Sequence, residues 1–104
     1  MTEETNTIRR SELPEMTTVK SSNIYAIGYD VANKMMFVLF SKDSPVVYRY
    51  PHINVERYRF VMDAESVGRA FASSIKVYSN SQPELMHEKL TLVGDGVSVQ
   101  ESSP

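Results

Sequence analysis

The sequence contains no cysteine, no tryptophan and only four glycines. Without cysteine the chain can form neither disulfides nor thiolate metal sites, which favours a reducing compartment. No apolar run approaches the roughly 18 residues that a membrane-spanning helix needs. The polar, charged N-terminus also lacks the apolar core of a signal peptide. We therefore expect a cytoplasmic protein without a membrane partner.

Charge is distributed unevenly along the chain. Residues 1–17 carry a net charge of −2, residues 18–78 carry +3, and residues 79–104 carry −3. The flanks are poor in large apolar residues, and such segments bury too little surface to offset the entropy of ordering. We expect a flexible N-terminal arm over 1–17 and a C-terminal extension over 79–104 that is partly ordered at most. One folded domain is expected over 18–78.

Three β-prone runs separated by turn-forming residues begin this domain. They span residues 19–29, 35–40 and 46–50, and they predict an antiparallel meander. The second run is apolar throughout, which is typical of a central strand covered on both faces. Gly28 inside the first run indicates a bulge or a close backbone approach. Pro51 ends the third run because proline cannot donate to the strand ladder.

Two helices are predicted after the strands. Asn54 and Ser66 are suitable N-caps, because their side-chain oxygens can accept the free N–H groups of a first helical turn. Apolar residues recur at helical spacing after each cap. These are Val55, Tyr58, Val61 and Met62, and then Val67, Ala70, Phe71, Ile75 and Tyr78. The fold class is therefore α+β: a three-stranded antiparallel β-meander followed by two short α-helices, with flexible N- and C-terminal tails.

The C-terminal extension offers weaker signals. Residues 84–90 could form a short helix with Pro83 at its first position, and residues 91–99 could form a hairpin around Gly94 and Gly96. A domain of sixty residues buries only about 60% of its extended surface. Docking of this segment, or weak dimerisation through an edge strand, would therefore help the domain to stay folded.

Short motifs also stand in a characteristic order. They are Ser21-Ser22-Asn23-Ile24, Ile27-Gly28-Tyr29-Asp30, Tyr48-x-Tyr50, Ala64-x-Ser66-x-Gly68-x-x-Phe71 and Ile75-x-x-Tyr78. Over residues 18–78 they resemble the KTSC domain, found at the C-terminus of some lysyl-tRNA synthetases and alone in small bacterial and bacteriophage proteins. The resemblance implies a β-meander followed by helices, a bacterial cell or phage-infected host, and RNA binding as a suggested function. Ala72 departs from the pattern, because the family often has Asn there.

No constellation in the sequence predicts catalysis. The two histidines, His52 and His87, are far apart and have no metal-ligand spacing, and no nucleophile–base–orienter set is recognisable. Asp30 lies in a predicted turn, where an Asx-turn explains it. An enzyme would need a pocket in which Asp30 or His52 meets a second polar group, and we expect none. We predict no enzyme, no metal and no cofactor.

Binding is better supported than catalysis. Tyr48, Arg49 and Tyr50 are followed by Arg57, Arg59 and Arg69, and this basic–aromatic mixture suits single-stranded nucleic acid, whose bases stack and whose phosphates pair with guanidinium groups. The two tyrosines share one face of a strand, so they could instead be core residues with Arg49 on the opposite face. The arginines could equally be a scattered solvated surface.

Small polar residues form a second candidate for contact with a ligand or partner. They are Ser21, Ser22 and Asn23 at the start of the first strand, and Ser66 and Gly68 at the start of the second helix. Turn and cap chemistry explains them as well. Our leading hypothesis is a small non-catalytic binding module for RNA or single-stranded nucleic acid. The alternative is a protein–protein interaction module, such as a phage-encoded modulator of a host protein, acting by strand addition.

Overall fold

The computed structural model describes residues 6–94 and 99–100, and within them the chain forms one mixed sheet with helices on one face. Its seven strands lie in the order β1-β6-β5-β4-β3-β2-β7. They are β1 (Thr7–Arg9), β2 (Met16–Thr18), β3 (Ala26–Asp30), β4 (Met35–Leu39), β5 (Val46–Tyr50), β6 (Glu88–Val93) and β7 (Val99–Gln100). Pairing is antiparallel except between β1 and β6 and between β2 and β7.

The predicted meander is the centre of this sheet, β3-β4-β5, and the α+β class is confirmed. Its first turn forms as an Asx-turn, in which the backbone N–H of Asn33 donates to Asp30 Oδ1 at 3.2 Å. The first strand begins at Ala26 rather than at residue 19, because the Ser21 hydroxyl accepts the N–H groups of Asn23 and Ile24 and closes a turn. Three strands nevertheless understate the sheet.

The prediction of a flexible N-terminal arm is wrong for the residues of 1–17 that the structure describes. β1 and β2 both pair within the sheet, and Met16 is fully buried. Gly28 makes this docking possible: a Cβ there would lie 2.5 Å from Met16 Sδ and 3.0 Å from the Glu15 carbonyl oxygen. The close backbone approach expected at Gly28 is thereby confirmed. Residues 1–5 lie outside the described range.

The helix and the hairpin predicted for the C-terminal extension do not form as expected where the structure describes it. Only Pro83–Leu85 makes a helical turn, of the 3₁₀ type, and the predicted helix over 84–90 gives way to β6 at Glu88. β6 lies between β1 and β5, with Leu90 and Leu92 buried. β7 pairs with β2 on the other side of the sheet, so no β6–β7 hairpin forms. Residues 95–98 of that predicted hairpin lie outside the described range.

Two helical segments pack on the sheet and confirm the predicted helices. α1 spans Val55–Met62, and the backbone N–H of Arg57 donates to Asn54 Oδ1 at 2.9 Å. α2 runs over 67–79: Val67–Ala70 and Val77–Ser79 are α-helical, and Phe71–Lys76 between them is π-helical. Ser66 caps α2 by accepting the backbone N–H of Arg69 at 3.3 Å. Both predicted N-caps therefore form.

Apolar clusters cover both faces of β4, as its continuous apolar sequence predicts. Met36 and Val38 belong to the cluster between sheet and helices, together with Val61, Phe71 and Ile75. Phe37 and Leu39 belong to a second cluster on the opposite face. That second cluster is completed by Met16, Ala26, Val47, Leu90 and Leu92. Residues outside 18–78 thus supply three side chains of the second cluster.

Candidate functional site

Tyr48 and Tyr50 do not form an exposed surface on which nucleic-acid bases could stack. Tyr48 and Tyr50 face the helices, and Tyr50 is 3% exposed with its ring at right angles to that of Phe71, 5.4 Å between centroids. Burial, with a smaller contribution from nearby Tyr48, raises the pKa of Tyr50 to about 12. Tyr48 is half-buried between Phe40 and His87. A base could not stack on Tyr50, because both of its ring faces are inside the protein.

Arg49 lies on the opposite face of the sheet from these tyrosines, as strand alternation requires. Its Nε donates to Glu88 Oε1 at 2.8 Å, and the two side chains form an ion pair. Glu88 belongs to β6, directly opposite Arg49 in the register of β5 and β6. Arg49 is therefore separated from the other predicted nucleic-acid contacts and already has a carboxylate partner.

Arg57 and Arg59 have different surroundings although both belong to α1. Arg57 Nη1 donates to the Ser74 carbonyl oxygen at 2.8 Å, and its guanidinium lies 3.9 Å from the centroid of the Tyr78 ring. These contacts tie α1 to α2 and hold the guanidinium in place. Arg59 is exposed and lines neither of the helix-side cavities described below.

The remaining predicted residues come together in one place, which we call the Ser21 cleft. It lies between the turn before β3 and the start of α2, with a volume of about 490 Å³. Its lining contains every small polar residue predicted for ligand contact, together with Arg69. The complete lining is Lys20, Ser21, Ser22, Asn23, Glu65, Ser66, Gly68, Arg69 and Ala72. Residues more than forty positions apart in sequence are thus brought together by the fold.

Part of the Ser21 cleft is structural. The Ser21 hydroxyl oxygen accepts two backbone N–H groups, and the Ser66 hydroxyl oxygen caps α2. Gly68 allows the two segments to meet, because a Cβ at that position would lie 3.0 Å from Ser21 Oγ. Ala72 presents only a methyl group to the cleft. The turn and cap explanation is therefore correct for Ser21 and Ser66.

Four other side chains that line the Ser21 cleft neither close a turn nor cap a helix. Within residues 6–94, the ion pairs and side-chain hydrogen bonds leave Lys20, Ser22, Asn23 and Arg69 without a side-chain partner. Two are cations and two are neutral hydrogen-bonding groups, and one carboxylate, Glu65, lines the same cleft. Such a set of donors can bind an anion with several oxygen atoms. Lys20 was not predicted, although it directly precedes the Ser21-Ser22-Asn23 motif.

A second cavity, the α1–α2 groove, was not predicted. It has a volume of about 560 Å³ and is lined by Asn54, Glu56, Arg57, Phe60, Ser73 and Ser74. Phe60 is 58% exposed, so its ring is available to a ligand. The sequence carried a signal for it: Phe60 falls outside the apolar stripe of α1, on the same side as charged residues. An aromatic ring at such a position is turned toward solvent.

A third cavity of about 430 Å³ lies on the sheet face opposite the helices and includes Asp30, Arg49 and Glu12. The expectation that Asp30 would meet no second polar group is therefore wrong. Asn33 donates to both carboxylate oxygens of Asp30, and these hydrogen bonds lower its pKa. Asp30 is thus a weak base, and Arg49 of the same cavity is paired with Glu88. This arrangement offers no activated nucleophile.

Three further observations concern metal binding, membrane-spanning helices and the surroundings of His87. Within residues 6–94, no three His, Cys, Asp or Glu side chains lie together as a metal site would require. No helix in the described part of the chain is long and apolar enough to cross a membrane. His87 lies against the rings of Tyr48 and Tyr50, with centroids 5.5 and 5.3 Å apart.

The fold and its polar cleft define a small α+β domain with a mixed sheet covered by two helices on one face. The chain belongs to the KTSC domain family, whose model matches residues 20–78. The structure is also similar to the crystal structure of a KTSC domain protein from Yersinia pestis, with 26% sequence identity and a TM-score of 0.57. That similarity covers 73% of this chain and 96% of the Yersinia protein. No curated protein matches the chain.

Proposed function

We propose that this chain is a non-catalytic binding module for single-stranded nucleic acid, in the first place RNA, and that the Ser21 cleft holds the phosphate backbone. The observation that carries the proposal is the pair of unpaired cations, Lys20 and Arg69, in one cleft with Ser22 and Asn23. Lysine and arginine bind phosphates by charge, and hydroxyl and amide groups add hydrogen bonds to phosphate and sugar oxygens. The net charge of +3 over residues 18–78 favours the approach of an anion.

The structure changes which of the residues predicted from the sequence we propose to bind nucleic acid. Arg69 keeps a phosphate-binding role, whereas Arg49 and Arg57 are committed to contacts within the protein. Tyr50 has no role in stacking because it is buried. The proposed surface is therefore the side of the molecule that carries the Ser21 turn and α2, rather than the strand β5.

Binding is best tested by fluorescence anisotropy of a labelled RNA of about ten nucleotides, a length within the site sizes of single-strand binders. We expect Lys20→Ala and Arg69→Ala each to weaken binding several-fold and to reduce the slope of log affinity against log salt by about 1. Both side chains are exposed, so the folded state should tolerate their removal.

Arg59→Ala is the matched control, because it removes one exposed cation that lines neither the Ser21 cleft nor the α1–α2 groove. It should leave the affinity nearly unchanged. An equal loss with Arg59→Ala would mean that binding follows overall charge and would contradict a specific cleft. Absence of binding even at low salt would overturn the nucleic-acid proposal.

A protein partner is the second candidate. β1 is the outermost strand on one side of the sheet, and Thr7 and Arg9 within it are exposed. A partner strand could add to that edge by main-chain hydrogen bonds. If RNA does not bind, Thr7→Pro would test this candidate, because proline removes a backbone N–H donor from the edge strand. A partner that is recovered by pull-down with the unaltered chain and is lost with the proline variant would support this candidate.

A further inference from the structure

Phe60 is the aromatic residue whose ring is accessible for contact with a ligand. Other aromatic side chains of the domain are buried, half-buried or in ring–ring contact, whereas Phe60 is 58% exposed. Within residues 6–94 no other ring or cation packs against it. A single exposed apolar residue is common on protein surfaces and by itself means little. The α1–α2 groove in which Phe60 lies makes it informative.

The α1–α2 groove surrounds this ring with hydrogen-bonding groups rather than with further apolar side chains. Ser73 and Ser74 come from α2, and Asn54 and Arg57 come from the start of α1. The Arg57 guanidinium is held by the Ser74 carbonyl and by Tyr78, so it does not have to be ordered on binding. Phe60 is the only large apolar side chain in the lining. An apolar peptide anchor would find little to bury against here.

Glu56 further restricts the kind of ligand that the groove can bind. Its carboxylate lines the α1–α2 groove, where it would repel a phosphate but could accept a hydrogen bond from an amino group. A flat aromatic ring with polar edges fits this lining: one face stacks on Phe60 and the edge meets serine, asparagine or carboxylate oxygens. Unpaired nucleobases have this combination of properties.

The groove and the Ser21 cleft lie on either flank of α2. Ala72 lines the cleft, and its neighbour Ser73 lines the groove. Both Ala72 and Ser73 are exposed, so the surface of α2 between the two cavities is open to solvent. A helix with its side chains is about 10 Å across. A nucleic-acid strand of a few nucleotides could therefore cross α2 from one cavity to the other.

We infer that the α1–α2 groove is a base-binding subsite, in which one unpaired nucleobase stacks on Phe60 while the Ser21 cleft holds the backbone phosphate. This inference rests on the proposed function and adds to it the requirement for an unpaired base. It explains how the module would prefer single strands, since a base inside a duplex has no free face to offer.

The test uses the full chain and compares Phe60→Ala with Phe60→Trp on a labelled single-stranded RNA. We expect Phe60→Ala to weaken binding at least about fivefold, the effect of losing one stacked base. The salt dependence should stay unchanged, because no phosphate contact is lost. Phe60→Trp should keep the affinity. Val77→Ala is the matched control, because Val77 is 64% exposed on α2 and lies outside the groove lining.

Two further probes separate the base from the backbone. A duplex of the same sequence and a single strand with abasic positions should both bind the unaltered chain as weakly as the RNA binds Phe60→Ala. Equal binding of the abasic strand would overturn the inference. If Lys20→Ala and Arg69→Ala weaken RNA binding but Phe60→Ala does not, the base subsite is refuted while the phosphate cleft stands. If no RNA binds at all, both ideas fail.

Discussion

Tyr50 illustrates how strand alternation separates neighbouring residues of one motif. Tyr48 and Tyr50 face the helices, and Arg49 between them faces the other side of the sheet. The sequence predicted this alternation but not which face would be covered. That outcome depends on the helices, whose Phe71 packs against Tyr50 at 5.4 Å. An aromatic–basic–aromatic triplet on a strand is therefore insufficient evidence for a stacking platform.

The phenol of Tyr50 also gives a testable dependence of stability on pH. Its pKa in the folded protein is about 12, and an exposed tyrosine in the unfolded chain has a pKa of about 10. The stabilising contribution is complete below pH 10 and is lost as pH rises toward 12, because the unfolded chain releases this proton first. Between pH 10 and pH 12 we therefore expect the Tyr50→Phe variant to lose less of its free energy of unfolding than the unaltered chain, as measured by urea unfolding.

Tyr29 and Tyr58 also have raised pKa values, so part of the loss of stability at alkaline pH will remain in both the unaltered chain and the Tyr50→Phe variant. The informative quantity is therefore the difference between the two pH profiles. Parallel profiles from pH 9 to pH 12 would contradict the raised pKa assigned to Tyr50.

At the scale of secondary-structure elements, local signals predicted the helices well and the last long strand poorly. Asn54 and Ser66 cap helices as expected, because an N-cap depends on a few neighbouring residues. Only the second half of β6 was anticipated, as the first arm of the predicted hairpin over 91–99, although Leu90 and Leu92 alternate with exposed Lys89 and Thr91. Pro83 favoured a helix start, and the alternation is too short to outweigh it without the β5 partner.

The role of β6 can be tested by one core substitution. Leu90 is buried in the second cluster, so Leu90→Ala should lower the free energy of unfolding by about 2–5 kcal/mol. Thr91→Ala, on the exposed side of the same strand, should change it by less than about 0.5 kcal/mol. Urea denaturation monitored by circular dichroism would measure both. Similar midpoints for the two variants would mean that β6 does not contribute to the core.

At the scale of the whole molecule, the sheet joins strands from both flanking segments to the central meander. β1 pairs with β6 and β2 pairs with β3 and β7, so residues before 18 and after 79 complete the sheet on both sides of the meander. The second apolar cluster needs Met16, Leu90 and Leu92 from these segments. The expectation that a sixty-residue core would need help from the C-terminal segment therefore has a physical basis in β6.

This topology predicts the pattern of native-state hydrogen exchange. Amides of β4 should exchange slowest, because β4 lies at the centre of the sheet and is covered on both faces. Amides of β1 should exchange much faster, because it is a three-residue strand at the edge of the sheet. Nuclear magnetic resonance can measure both sets. Equal protection of β1 and β4 would show that the edge is more stable than its exposure indicates.

The candidate site shows the same division between local and long-range information. Each small polar residue of the Ser21 cleft was recognisable in the sequence, because turn and cap positions favour serine, asparagine and glycine. Their assembly with Lys20 and Arg69 into one cavity was not recognisable. The exposure of Phe60 could be anticipated from its position outside the apolar stripe of α1. The groove beside it requires α2 to lie against α1.

The sequence by itself determined what depends on near neighbours: the order of the three central strands, the Asx-turn at Asp30, the helix caps at Asn54 and Ser66, and the apolar faces of the helices. Only the tertiary structure decided where the four outer strands pair, the burial of Tyr50, the ion pair of Arg49 with Glu88, and the shared cleft of Ser21 and Gly68. The physical reason is that pairing across long loops depends on how well distant apolar surfaces fit together, and no local pattern along the chain encodes that fit.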